Sequence, residues 1–212
     1  MGMVGGGPGA FIGPVHKMAA ELDGRIELVA GAFSQSTERS RAAGAGFGID
    51  PGRAYADYRQ MLEAERKRTD AIDFVAIVTP NHLHLPVAVA ALEAGFAVVS
   101  EKPATATYAE ALELEAAVAK AGLPYALTHT YAGYALVREA RAVARLPGGH
   151  PEGYIEAFAV LYREFADGLM AWRRGERNPL PATLPGIVAG VRGMRFIERA
   201  IASSREGSWV EF

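Results

Sequence analysis

The chain has 212 residues, half of them hydrophobic, enough for one sizeable core with an appendage. A formal charge of −2 gives no electrostatic case for nucleic acid, and neither a basic run nor a bilayer-length apolar stretch suggests a membrane. The absence of cysteine excludes disulfides and thiolate metal sites and, with an N-terminus unlike a secretory leader, points to a cytoplasmic protein built for small molecules.

Gly2-Met3-Val4-Gly5-Gly6-Gly7-Pro8-Gly9-Ala10-Phe11-Ile12-Gly13 reads as the end of a buried strand, a glycine turn and the opening of a helix over 8–22. Gly5, Gly7 and Ala10 fall at the spacing G-x-G-x-x-A. The first glycine allows the tight turn and the second lets the backbone approach a pyrophosphate. The small third residue lets the helix pack on the strand, its N-terminal N–H groups aimed at the phosphates. Pro8, Phe11 and Ile12 belong to the same cofactor-facing stretch. The helix is expected to bury Phe11, Ile12, Val15, Met18 and Ala19. A second strand over 26–33 supplies the context that a dinucleotide fingerprint requires.

The residue after that strand reads the adenosine ribose, an acid suiting NAD and a base suiting the 2′-phosphate of NADP. Here stand Ser34, Gln35, Ser36 and Thr37, followed by Arg39 and Arg41. No carboxylate is present to repel a phosphate, so Ser34 and Arg39 favour NADP, with NAD also open. The alternative is that Ser34 and Ser36 merely cap the next helix.

A short connection at 55–58 leads to a helix over 59–67. The nearly continuous apolar run 72–78 suits a parallel strand buried on both faces. It stops at Thr79-Pro80-Asn81-His82-Leu83-His84, on the carboxyl edge where open α/β sheets bind ligands. A helix over 85–94, a strand over 97–100 ending in Glu101-Lys102-Pro103, a helix over 108–121 and a strand over 125–129 follow. This alternation predicts an α/β fold, a doubly wound parallel sheet over residues 1–131. Residues 132–212 form the appendage. They read as a helix over 137–145, a break at Leu146-Pro147-Gly148-Gly149-His150-Pro151, an amphipathic helix over 151–172, a loop, a helix over 186–202 and a terminal strand over 208–212.

The glycine turn, Thr79-Pro80-Asn81-His82-Leu83-His84 and Glu101-Lys102-Pro103 together resemble the Gfo/Idh/MocA oxidoreductases, and Gly149-His150-Pro151-Glu152-Gly153-Tyr154-Ile155-Glu156-Ala157-Phe158 resembles a closing segment of one subgroup. The resemblance implies a Rossmann domain and nicotinamide-dependent hydride transfer on a sugar, polyol or related hydroxy or keto compound. It places Lys102 beside the nicotinamide, with Thr79, Pro80, Asn81, His84 and Glu101 lining the cofactor and His150 in the pocket. His129, at a strand end, is a candidate contact or an edge-of-core residue. His82 and His84 lack metal-ligand partners at suitable spacing, so no metal is expected.

The family carries a second domain between the helix ending near Arg145 and the Gly149 segment, and about 100–150 residues have no counterpart here. The last helices and the terminal strand then remain as its remnant, with apolar faces that favour a homo-oligomer. A second reading therefore stands beside the enzyme, a nucleotide-binding module without catalysis.

Overall fold

The computed structural model describes residues 1–133, 154–177 and 179–212. Six parallel strands make one sheet: β1 (Gly2–Gly5), β2 (Ala30–Ala32), β3 (Ala54–Tyr55), β4 (Phe74–Val78), β5 (Ala97–Glu101) and β6 (Tyr125–Thr128). Their spatial order is β3-β2-β1-β4-β5-β6. The order reverses between β1 and β4, which pair from Gly2 opposite Val75 to Gly5 opposite Val78. Such a switch point opens a crevice at the carboxyl ends of the strands.

Helices cover both faces. On one face α1 (Ile12–Glu21) packs against α6 (Tyr154–Arg173), and their side chains meet Met3, Phe74, Ala76 and Val99 of the sheet. On the other, α3 (Tyr58–Glu65), α4 (His84–Glu93), α5 (Tyr108–Ala121) and α7 (Ile187–Glu206) cover Val75, Ile77, Val98 and Leu127. The completing helix, α2 (Thr37–Gly46), lies against β2 and β3. Phe158, Tyr162 and Phe165 of α6 are fully buried, so this helix completes the core on one face of the sheet. Among the described residues no helix is long and apolar enough to cross a membrane.

Three sequence expectations need correction. The first helix starts at Ile12 rather than Pro8, because Gly7–Ala10 closes a turn (Ala10 N–H to Gly7 O, 2.9 Å) through Gly9 at φ +84°. Of the expected buried face, Val15 and Ala19 are buried and Ile12 packs on the core, joined by Gly13, His16 and Ala20, whereas Phe11, now outside the helix, and Met18 are exposed at 76% and 52%. Residues 208–212 form no strand. Gly207 adopts φ +62° and turns the chain back, so that Ser203 Oγ donates to Ser208 O at 2.6 Å and Phe212 lies edge-on to Phe196.

Smaller shifts have local causes. The second strand shortens to the three residues in register with β1, and the short connection at 55 contains the two-residue strand β3. The expected helix over 137–145 lies outside the described residues.

Candidate active site

β1 ends at the switch point, and the glycine turn fills the gap between β2 and β4. A Cβ at Gly7 would stand 2.3 Å from the Phe33 carbonyl oxygen, so only glycine lets the chain pass the end of β2. The helix and the turn meet most closely at Gly13, where a Cβ would lie 2.6 Å from Gly6 Cα. No side chain caps the N-terminus of α1 and no acid stands in its first turn. Its leading N–H groups therefore remain available to an anion, with the helix dipole in support.

The turn borders a hollow of about 250 Å³ lined by Gly5, Gly7, Pro8, Ala10, Ser34, Arg39, Thr79 and Pro80, eight of the residues singled out from sequence. Thr79 Oγ1 is buried here without a hydrogen-bond partner in the protein, an arrangement that costs stability unless a ligand or water completes it. A second hollow of about 450 Å³ adjoins it, sharing Ser34, Thr79 and Pro80 and extending to Tyr58, Arg59 and Leu83. The Arg59 guanidinium lies 4.5 Å from the centre of the Tyr58 ring. Ser34 Oγ accepts from Ser36 N–H and Ser36 Oγ from Arg39 N–H, so Ser36 does cap α2. Ser34 and Arg39 nonetheless line the hollow. Phe11 and Ile12 do not, the first pointing to solvent and the second packing on the core.

Lys102 follows β5 directly and is exposed. It lines a third hollow, about 500 Å³, with His129, Tyr131, Met194 and Ile197. Burial lowers the pKa of His129 below its ordinary value; the Glu101 carboxylate opposes that shift and the Lys102 ammonium adds to it.

Glu101 is 6% exposed. Its Oε1 accepts from Thr128 Oγ1 at 2.7 Å and lies 3.1 Å from His16 Nε2, and its Oε2 accepts from the Lys102 backbone N–H at 3.1 Å. Burial alone would push its pKa up. The hydrogen bond and charge of His16, the Thr128 hydroxyl and Lys102 outweigh that and hold it below the ordinary carboxylate range.

The resemblance puts Glu101 and His84 on the cofactor wall, whereas here both turn inward. His84 is 1% exposed, with Nδ1 2.7 Å from Pro103 O and Nε2 2.9 Å from Thr79 O. It ties the loop after β4 to the loop after β5 from beneath. Asn81 and His82 are exposed in the short 3₁₀ turn Asn81–Leu83. His150 lies outside the described residues.

Sequence reasoning passed over His16, Gly13 and Tyr162. A histidine on an otherwise apolar helix face was the available signal for the first, and Tyr162 was legible only as core spacing.

The family model described as "Oxidoreductase family, NAD-binding Rossmann fold" matches residues 1–129. The chain is 35% identical to the oxidoreductase YfiI of Bacillus subtilis over 176 residues, covering 82% of this chain and 43% of YfiI. It is 28% identical to levoglucosan dehydrogenase of Pseudarthrobacter phenanthrenivorans, covering 90% of this chain and 46% of that protein. The chain thus spans less than half the length of either relative. A crystal structure of an inositol dehydrogenase homolog from Azotobacter vinelandii, complexed with NADH and myo-inositol, superposes with a TM-score of 0.90 at 25% identity, covering 100% of this chain and 97% of that one. With the strand order, the glycine turn and the match to residues 1–129 in agreement, the chain belongs to the Gfo/Idh/MocA family of oxidoreductases with an NAD-binding Rossmann fold.

Proposed function

We propose that the chain binds a nicotinamide dinucleotide along the carboxyl edge of its sheet and presents Lys102 to a reacting C–O group of a sugar, polyol or related hydroxy or keto compound. The observation that carries this is the convergence of Gly5, Gly7, Ser34, Arg39 and Thr79 on one hollow at the switch point, with a buried Thr79 hydroxyl lacking a partner. The close passage of Gly7 and the uncapped α1 N-terminus suit a pyrophosphate. The hollow between Tyr58, Arg59 and Leu83 suits the adenine.

When bound, the nicotinamide supplies or accepts the hydride. The protein's part is position and charge. Lys102 Nζ donates a hydrogen bond or proton to oxygen as negative charge develops there in reduction, and accepts the proton in oxidation. Glu101, through its bond to Lys102 N–H, fixes the main chain that carries this group. Arg39 beside Ser34 supports use of NADP as well as NAD. The carbohydrate class is supported by the names of two relatives, a levoglucosan dehydrogenase and an inositol dehydrogenase homolog. Exposed Val188, Phe196 and Ile201 on α7 support self-association, and the absence of cysteine supports a cytoplasmic setting.

The second reading, nucleotide binding without turnover, is favoured by the exposure of Lys102 among the described residues, which keeps its ammonium in contact with water. Titration with NADH and NADPH, followed by assay over a panel of sugars and polyols, separates the two. Binding with turnover supports the enzyme, binding alone the module, and failure to bind either nucleotide overturns both.

A further inference from the structure

Beneath Lys102 lies a line of polar groups that crosses three elements of the fold. Tyr162 of α6 is 1% exposed and brings its hydroxyl within 2.6 Å of His16 Nδ1. His16 of α1 is 0% exposed and points Nε2 at Glu101 Oε1, 3.1 Å away. Glu101 then passes its other oxygen to the Lys102 N–H. An ionised carboxylate only accepts, so the hydrogen on Nε2 lies on the Glu101 side.

We propose that His16 and Tyr162 are positioning residues for Lys102, acting through the orientation of the Glu101 carboxylate. The proposal rests on the reading of Lys102 given above.

Stability alone does not account for such a line, since well-packed apolar side chains in place of a buried ionic group often serve a core as well or better. Its geometry has a direction. One carboxylate oxygen receives the imidazole and the Thr128 hydroxyl, which fixes the plane of the group; the other meets the main chain of the residue that bears the ammonium. Tyr162 holds the far ring nitrogen, and the ring edges of Phe158 and Tyr162 close on His16 with centroids 5.0 and 5.7 Å away. Helix α6, which follows the sheet in sequence, thereby takes part in aiming the lysine.

The chain has four lysines, at 17, 67, 102 and 120, so ¹⁵N-lysine labelling gives few amide signals, and Lys102→Arg assigns the one that matters. Amide exchange of Lys102 is followed in the unsubstituted chain and in His16→Leu, His16→Asn and His16→Gln, with Lys67 and Lys120 as internal references. A glutamine amide nitrogen reaches about where Nε2 stood and can donate to Glu101; an asparagine is too short and a leucine has nothing to donate. Loss of a charge-assisted hydrogen bond predicts exchange at Lys102 about tenfold faster or more in the leucine and asparagine variants. The glutamine variant restores it to within about threefold of the unsubstituted rate.

A packing role alone would favour leucine and would not single out Lys102. Equal Lys102 exchange in all four proteins, or a rate that tracks global stability together with Lys67 and Lys120, overturns the proposal. Tyr162→Phe removes one oxygen from the far end and keeps the same readout should the His16 variants not fold. It predicts faster exchange at Lys102, and an unchanged rate there overturns the proposal. The amide readout needs no substrate, so it is decided separately from the cofactor titration that tests the proposed function.

Discussion

Gly13→Ala tests the cofactor cradle at a residue outside the lining of the 250 Å³ hollow. The new methyl would sit 2.6 Å from Gly6 Cα and 3.0 Å from Gly6 O, against an ordinary contact of 3.4–4 Å, so turn and helix must part by about 0.8 Å. Overpacking of this kind costs about 1–3 kcal/mol, while replacing a helical glycine by alanine returns about 1 kcal/mol, leaving a net loss of about 0–2 kcal/mol.

Gly24→Ala is the matched control. At φ +65° with open space around it, alanine there costs about 1 kcal/mol in backbone strain, partly offset by the lower entropy of the unfolded chain. The two variants are thus close in stability by urea denaturation and should part in NADH titration. Separating the turn from the α1 N-terminus lengthens its hydrogen bonds to a pyrophosphate and predicts roughly tenfold weaker binding, about 1.4 kcal/mol, for Gly13→Ala alone. NADH affinity in Gly13→Ala equal to that of the control would refute the assignment of the pyrophosphate to this turn.

Other expectations are as direct. Lys102→Ala should lower turnover by about a hundredfold or more while NADH affinity stays within about threefold, and steady-state kinetics beside a binding titration reads both. Arg39→Ala should weaken NADPH about tenfold and leave NADH nearly unchanged; equal losses would remove the ribose-phosphate role. Arg53 and Glu65 form a buried ion pair completed by Tyr55 Oη–H and the Asp70 carboxylate, so Arg53→Met strands a carboxylate that is 0% exposed and should cost about 3–5 kcal/mol by denaturation.

His129 gives a pH dependence. Its folded pKa lies below the ordinary 6.5, chiefly through burial, so below that pH the unfolded chain takes up the proton more readily than the folded one. Its contribution to stability is therefore present above pH 6.5 and lost as pH falls through the lowered value. His129→Gln should flatten that part of the stability profile.

The order of strands and helices through residue 128, the two-residue β3 excepted, was legible because buried parallel strands leave short apolar runs, and glycines such as Gly95 and Gly122 mark where helices stop. Edges were less legible. Gly9 could be read as part of a helix start, but its positive φ and the 7–10 turn leave Phe11 ahead of the helix and exposed. The tail 208–212 alternates like a strand, yet no sheet edge meets it among the described residues, and Gly207 folds it onto its own helix.

In the site, the wall was legible and the floor was not. Ser34, Thr79 and Lys102 follow strand ends, where sequence position implies direction, and Arg39 lies in the first turn of α2 just beyond β2. Whether His84 and Glu101 face a ligand or the interior depends on partners distant in sequence: Thr79 O and Pro103 O for one, His16 and Thr128 for the other. No local pattern carries that information.

A crystal structure of the chain with NADH measures the central claim most directly. The account predicts the pyrophosphate on the backbone of residues 5–13, the Thr79 hydroxyl newly hydrogen-bonded, and the nicotinamide ring beside Lys102 Nζ. A nucleotide bound elsewhere, or a nicotinamide facing away from Lys102, would contradict it.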